Sequence, residues 1–277
     1  MSELLFYVGQ PFAQHALIAA VLVAIMCGLI GPFVVMRNMA FAVHGTSELA
    51  FTGAAAGLLA GGNPLVGAFA GAIAVAVVIG SLGVREHERD ATIGIILSFG
   101  LGLGVLFLSF YKGFATQATN ILFGNIFGVS GEQLWWLLGI GVVACLALAA
   151  MYRPLLFASA DPEVARAKGV PMRAISILFL LVLAIAVTEA AQVVGTLLVL
   201  SLAIAPAAAA TRLSSNPSVV ISLSVCFALL ASIGGVMLSF AFDSVKPSVF
   251  ITMASFLVYI VVRAATFSKL RRNRVSQ

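Results

Sequence analysis

Apolar runs of about 20 residues recur along this chain, separated by short polar or basic breaks. About 20 apolar residues suffice for a helix to cross a bilayer. Within hydrocarbon each backbone N–H and C=O must find its partner inside the protein, which favours helices or closed barrels. The runs predict helices over 14–36, 38–60, 64–83, 91–111, 134–151, 174–193, 195–211, 218–241 and 249–267. The short alternating strands of a membrane barrel do not occur in the pattern. Gly61, Gly62, Asn63 and Pro64 read as a tight turn between the second and third runs. The run 174–211 is long enough for two crossings and is interrupted by Glu189, Gln192 and Gly195. Pro206 is expected to break the backbone pattern of its second half. The pattern therefore predicts an all-α polytopic membrane protein, one transmembrane domain over 1–277, with nine helices or with eight if one run is re-entrant.

Basic residues set the orientation, because cytoplasmic loops carry the excess of Lys and Arg. Arg37, Arg85, Arg89, Arg153, Arg166, Lys168, Arg173, Arg212 and the basic tail from Lys269 all fall on one side if there are nine crossings. The other side receives the turn at 61–64, the loop 112–133 and the stretch 243–248, with only Lys112 and Lys246.

Composition agrees. The chain has 277 residues, 62% hydrophobic and 9% charged, against roughly 25% charged in an ordinary soluble domain. That excludes a soluble enzyme or binding module, and no mixed-composition stretch is long enough for a separate soluble domain. The first fifteen residues lack a basic start and a small-residue cleavage site, so no removable signal peptide is expected. The net charge of +5 comes from loops and the tail, and does not imply nucleic acid. Cys27, Cys145 and Cys226 lie in apolar runs and read as small core residues rather than a metal cluster.

One run carries chemistry. His44 and Glu48 lie inside the otherwise apolar segment 39–59. Ionisable side chains in a bilayer are costly and mark ion paths or paired sites. Four residues apart, they share one face of a helix. A nitrogen and oxygen donor pair suits zinc, manganese or iron, and suits sugars or lipids poorly. Glu189 and Gln192 are the next candidate ligands, while His15, Asn120 and Asn125 are candidates for an outer entrance. A transient site for a transported ion has to be under-coordinated, since a closed four-ligand site would hold the ion. An imidazole must be neutral to bind a cation, so uptake should weaken as pH falls toward about 6.

The loop 153–173 predicts a short helix: Asp161 as N-cap, Pro162 as first helical residue, and Gly169 and Pro171 as terminators. The chain contains no GxxxxGK[ST] motif, so any ATP-driven motion needs a motor on another subunit. It also lacks HExxH and GxSxG, and nothing marks it as an intramembrane enzyme.

Several segments together resemble the permease subunits of ABC transporters for zinc, manganese and iron chelates. They are GPFVVMRNMAFAVHGTSELAFTG at 31–53, RDATIGIILS at 89–98, ILFGNIFGVS at 121–130, DPEVARAKG at 161–169 and VVGTLLVLSLAIAPAAAA at 193–210. The family shows an acidic residue, then Ala, then Gly at four-residue spacing in the loop, followed by a V-G-x-L-L-V…P-A-A-x-A run. Asp161, Ala165 and Gly169 match the first pattern. The family typically has Asp and then His in the segment aligned with 43–53. Here His44 and Glu48 occupy those places, so carboxylate and imidazole are exchanged.

The resemblance implies a type II importer permease, similar to the vitamin B12 importer, in a bacterial cell membrane. It implies a homodimer with an extracytoplasmic metal-binding protein and a separate cytoplasmic ATPase that binds ATP. The ATPase would be met by a coupling helix at 161–169, through Asp161, Glu163, Ala165, Arg166 and Gly169. The expected metal set is His44, Glu48, Glu189 and Gln192, with zinc first, manganese second, no permanent cofactor, and import as the direction. The alternatives are a permease for an iron chelate on the same scaffold and a secondary carrier driven by an ion gradient. The halves show no convincing self-similarity of the kind many such carriers show.

Overall fold

A computed structural model describes residues 10–82, 86–111, 124–196, 198–242 and 245–275. Arg85, Lys112, Asn120 and Asp243 lie outside the described residues.

The described residues are helical apart from turns and short connections. The helices are α1 (Pro11–Met36), α2 (Ala40–Leu59), α3 (Pro64–Leu82), α4 (Glu86–Phe110), α5 (Gly131–Ala160), α6 (Pro162–Ala167), α7 (Met172–Val194), α8 (Val199–Leu213), α9 (Pro217–Ser239) and α10 (Pro247–Val275), with a 3-10 turn at Ile126–Gly128. Each predicted run falls on a helix of its own. Among the described residues, seven helices are long and apolar enough to cross a membrane; α8 is shorter, with 15 residues. The remaining long helix, α2, carries His44, Thr46, Ser47, Glu48 and Thr52 within its 20 residues.

Three boundaries differ from the pattern. The apolar run 134–151 is only the middle of α5, a helix of 30 residues that continues through Pro154 to Ala160. The loop 153–173 thus shrinks to α6 and its two flanks. Proline removes one helical hydrogen bond but does not end this helix, because the flanking residues still pack: Met151, Leu155 and Ala158 are buried. Pro206 likewise lies within α8, buried, and the helix runs on to Leu213. The break in the run 174–211 falls at Gly195, whose φ of 100° closes α7 where a side chain would be strained.

The two ends of the bundle are distinct. At one end, Phe127 packs edge-on to Phe12 and stacks on Phe240, with ring centroids 5.9 and 5.5 Å apart. Gly124 lies against the Val193 carbonyl there. At the other end, Arg37 and Arg173 reach across helices to Ser176 and Ser81. The basic positions 37 and 173, assigned to one side by charge, therefore do meet at one end.

α2 is the most tightly gripped helix. It packs mainly on α3 and α4. A Cβ at Gly53 would run into the Gly67 carbonyl, and one at Gly71 into the Leu49 carbonyl. Close backbone approach of this kind is how small residues hold membrane helices together.

Candidate metal pathway

α2 is polar for a membrane helix, and its small hydroxyls are satisfied locally. Thr46 donates to the carbonyls of Ala42 and Val43, both at 2.9 Å. Ser47 donates to the His44 carbonyl at 2.9 Å. Thr52 lies 3.1 Å from the Glu48 carbonyl and 2.7 Å from the Gly100 carbonyl of α4, its hydroxyl proton bridging the two helices. His44 and Glu48 are the exceptions. Glu48 is 2% exposed, and its Oε2 has no hydrogen-bond partner. His44 is half-buried, and its Nδ1 is buried and unpartnered. The two are near enough to interact electrostatically. Glu48 is the ninth residue of α2, about 12 Å along the axis from its first residue at 1.5 Å per residue.

Buried polar atoms are normally hydrogen-bonded, and an unpaired one costs free energy. An imidazole nitrogen and a carboxylate oxygen one turn apart, on a helix whose hydroxyls are bonded to carbonyls, are donor types that suit a divalent transition-metal cation.

Glu189 is the second buried carboxylate. It is 2% exposed and neither oxygen has a partner. It lies in a different setting, between α7, α1 and α5. Its Oε1 is 3.6 Å, and the Met26 Sδ 3.0 Å, from where a Cβ on Gly141 would stand. Cys27 and Cys145 both lie within its electrostatic reach. Cys27 is buried and Cys145 half-buried, but Cys226 is exposed, so the expectation of three core cysteines fails there, and sequence reasoning missed the neighbour of the other two. Apolar runs in α1 and α5 give no signal that their cysteines face a glutamate on α7.

The predicted ligands are not gathered at one point. Among the described residues, no three His, Cys, Asp or Glu side chains stand together as a metal cluster. His44 and Glu48 stand together on α2. Glu189, with the half-buried Gln192 three residues further along, stands on α7. His15, half-buried, lies next to Gly131 at the end of the bundle that holds Phe127. Asn125 is exposed and folds its amide over Gly128.

α6 forms as predicted. The Asp161 side chain accepts from the Val164 N–H at 3.0 Å, and Gly169 takes a φ of 80° after the last turn. Ala165 is fully buried, whereas Asp161, Glu163, Arg166 and Gly169 are exposed. A capped helix with one buried face leaves a rigid, charged outer face.

Residues 10–265 match the ABC 3 transport family over nearly the whole chain. The chain belongs to this family. It is similar to the manganese transport system membrane protein MntC of Halalkalibacterium halodurans, 33% identical over 262 residues, which cover 93% of this chain and 90% of that one. It is also similar to the high-affinity zinc uptake system membrane protein ZnuB of Haemophilus influenzae, 28% identical over 88% of this chain and 94% of that one. Among solved structures, PsaBC from Streptococcus pneumoniae in complex with Fab superposes with a TM-score of 0.84 at 27% identity, covering 94% of both chains. A member of this family is a transport subunit rather than an enzyme, and with seven apolar helices of spanning length it is a multi-pass protein of the bacterial plasma membrane.

Proposed function

We propose that this chain is the membrane permease of an ATP-driven importer for a divalent transition metal ion, and that His44 and Glu48 hold the ion in transit. The observation that carries the reading is the pair of unpartnered donors on α2, one imidazole nitrogen and one carboxylate oxygen. Nitrogen ligation alone put zinc ahead of manganese. The substrates named for the relatives shift that order, since manganese proteins are prominent among them and a zinc protein is more distant. Manganese is therefore the first candidate here and zinc the second.

The finer architecture belongs to the same proposal. α2 and α8 cross the membrane together with the seven strongly apolar helices, in the manner of a type II importer. The end of the bundle that carries Arg37 and Arg173 faces the cytoplasm. Two copies of the chain enclose the path. α6 is the coupling helix, presenting Asp161, Glu163 and Arg166 to a separate ATPase subunit, while Ala165 keys it to the bundle and Gly169 ends it. A metal-binding protein delivers the ion to the opposite end, near His15 and Asn125. Glu189 and Gln192 form a second, weaker station nearer that end. ATP can drive the ion only if the two conformations differ in affinity for it.

The test is uptake into liposomes containing this chain with its ATPase, using manganese, zinc and an iron chelate as separate cargoes. Manganese or zinc should enter in an ATP-dependent way, and Glu48→Ala or His44→Ala should stop it. Full uptake by the His44→Ala, Glu48→Ala double variant would refute the ion site. Uptake of the chelate alone would refute the substrate class.

A further inference from the structure

The helices fall into two sets with one helix between them. α2 packs mainly on α3 and α4, making a three-helix unit that holds His44 and Glu48. α8 and α9 pack extensively on each other and on both α1 and α10. Direct contact between the sets is slight, through α2 with α8 and with α1. α7 packs on α2 and α3 on one side and on α1 and α5 on the other. Motion of α7 is thus the main mechanical input available to the unit that carries the donor pair.

Two arginines strengthen that connection, both at the end of α7 that follows α6. Arg37, just after α1 and three residues before α2, donates from Nη2 to Ser176 Oγ at 2.7 Å. Its guanidinium carbon lies 5.6 Å from the centroid of the Phe179 ring, and Phe179 is fully buried. Arg173, in the first turn of α7, donates from Nη2 to the Ser81 carbonyl at 3.0 Å, close to the end of α3. An arginine that served only as a charge anchor would point to water or headgroups. Arg37 instead turns inward onto a hydroxyl and an aromatic face, a double contact that a planar guanidinium makes and an ammonium makes poorly.

The linker from α6 to α7 has little slack. Residues 168–171 join them, and the Val170 N–H folds back to the Ala165 carbonyl at 3.0 Å. Pro171 has its φ fixed by its ring immediately before α7. Beyond Arg37, Asn38 has a φ of 52°, the one non-glycine in the left-handed region among the described residues. That corner joins α1 to α2 in a single turn, and a local torsion change there would tilt α2 relative to α1.

We propose that Arg37 and Arg173 are positioning residues that make α7 a strut, passing displacement of α6 to the three-helix unit that holds the ion. This inference rests on the reading of α6 as the ATPase contact. The test uses the full complex of this chain with its ATPase in liposomes, with ATP hydrolysis and radiolabelled manganese uptake measured in the same vesicles. In the Arg37→Ala, Arg173→Ala double variant, hydrolysis should stay within about twofold of wild type while ions moved per ATP fall about tenfold, within the range of ordinary coupling energies. Ser176→Ala, which leaves both arginines in place, should lower the ratio by about threefold. Arg37→Lys should restore part of it. An unchanged ratio in the double variant and in Ser176→Ala would overturn the proposal. So would a proportional fall in hydrolysis and uptake, because the arginines would then only hold the fold. Wild-type vesicles in which ATP drives uptake of neither manganese nor zinc would overturn the docking reading as well, and that outcome is visible before any variant is compared.

Discussion

Two glutamates are buried to the same degree in this protein, and their surroundings have little else in common. Glu48 sits on α2 one turn from an imidazole, in a helix whose Thr and Ser side chains are all turned to backbone carbonyls. Glu189 sits on α7 near Met26 and within electrostatic reach of Cys27 and Cys145, with no imidazole grouped with them among the described residues. Both leave carboxylate oxygens without partners. A buried carboxylate alone therefore does not define an ion path; the identity of the donor beside it does. Nitrogen plus oxygen suits manganese and zinc, whereas thioether and thiol favour softer ions. The α2 site is the stronger candidate for the reason visible in its neighbour, not in its depth.

The largest expected difference comes from removing each charge while keeping the shape. Glu48→Gln should cut manganese uptake by about tenfold or more, as expected when a charged ligand worth over about 1.4 kcal/mol is lost. Glu189→Gln should cut it by less than about threefold, a difference of under about 0.7 kcal/mol. Glu189→Leu should also leave the protein at least as stable to heating, because replacing an unpaired buried carboxylate with an apolar group removes its desolvation cost. The reverse ranking of the two glutamines would transfer the ion site from α2 to α7.

A smaller effect should separate the sites by pH. Metal binding needs the neutral imidazole, and the protonated form repels a cation. Uptake at a fixed ATPase rate should therefore decline on acidification. His44→Asp combined with Glu48→His should restore the order of donors usual in the family and keep uptake within about tenfold, since the donor set is conserved. The single His44→Gln variant should transport less at pH 8 and respond less to acid. A wild-type rate that is flat from pH 5.5 to 8 would remove His44 from the site.

How much of this was legible in the chain follows from which contacts are local. Helix positions were readable because length and hydropathy are properties of one segment. The His44–Glu48 pair was readable because i, i+4 spacing fixes which side chains share a helix face. The capped helix α6 was readable because Asp161, Pro162 and Gly169 each act on neighbouring backbone. The continuation of α5 through Pro154 was not readable, because it depends on Leu155 and Ala158 finding partners on other helices. The cysteines around Glu189 and the inward turn of Arg37 were invisible for the same reason: each depends on residues more than 40 positions away. Arg37 in sequence is only a basic residue at a helix end.

The smallest effect tests whether the sulfur atoms near Glu189 belong to the path. Cys27→Ser and Cys145→Ser each replace a soft sulfur with a hard oxygen at nearly constant shape. Manganese is indifferent to thiols and prefers oxygen donors. If α2 holds the ion, either variant should change manganese uptake by less than about twofold, which is under about 0.4 kcal/mol. Zinc uptake, measured in the same vesicles, should change as little, because the imidazole of His44 is its nitrogen donor and, among the described residues, no third ligand stands with the cysteines. A selective loss of zinc transport in Cys27→Ser, with manganese unaffected, would show that a thiophilic ion pauses at Glu189. The two carboxylates would then be successive stations on one route, ordered by donor softness, and the contrast between them would describe how the permease sorts metals rather than which of its glutamates it uses.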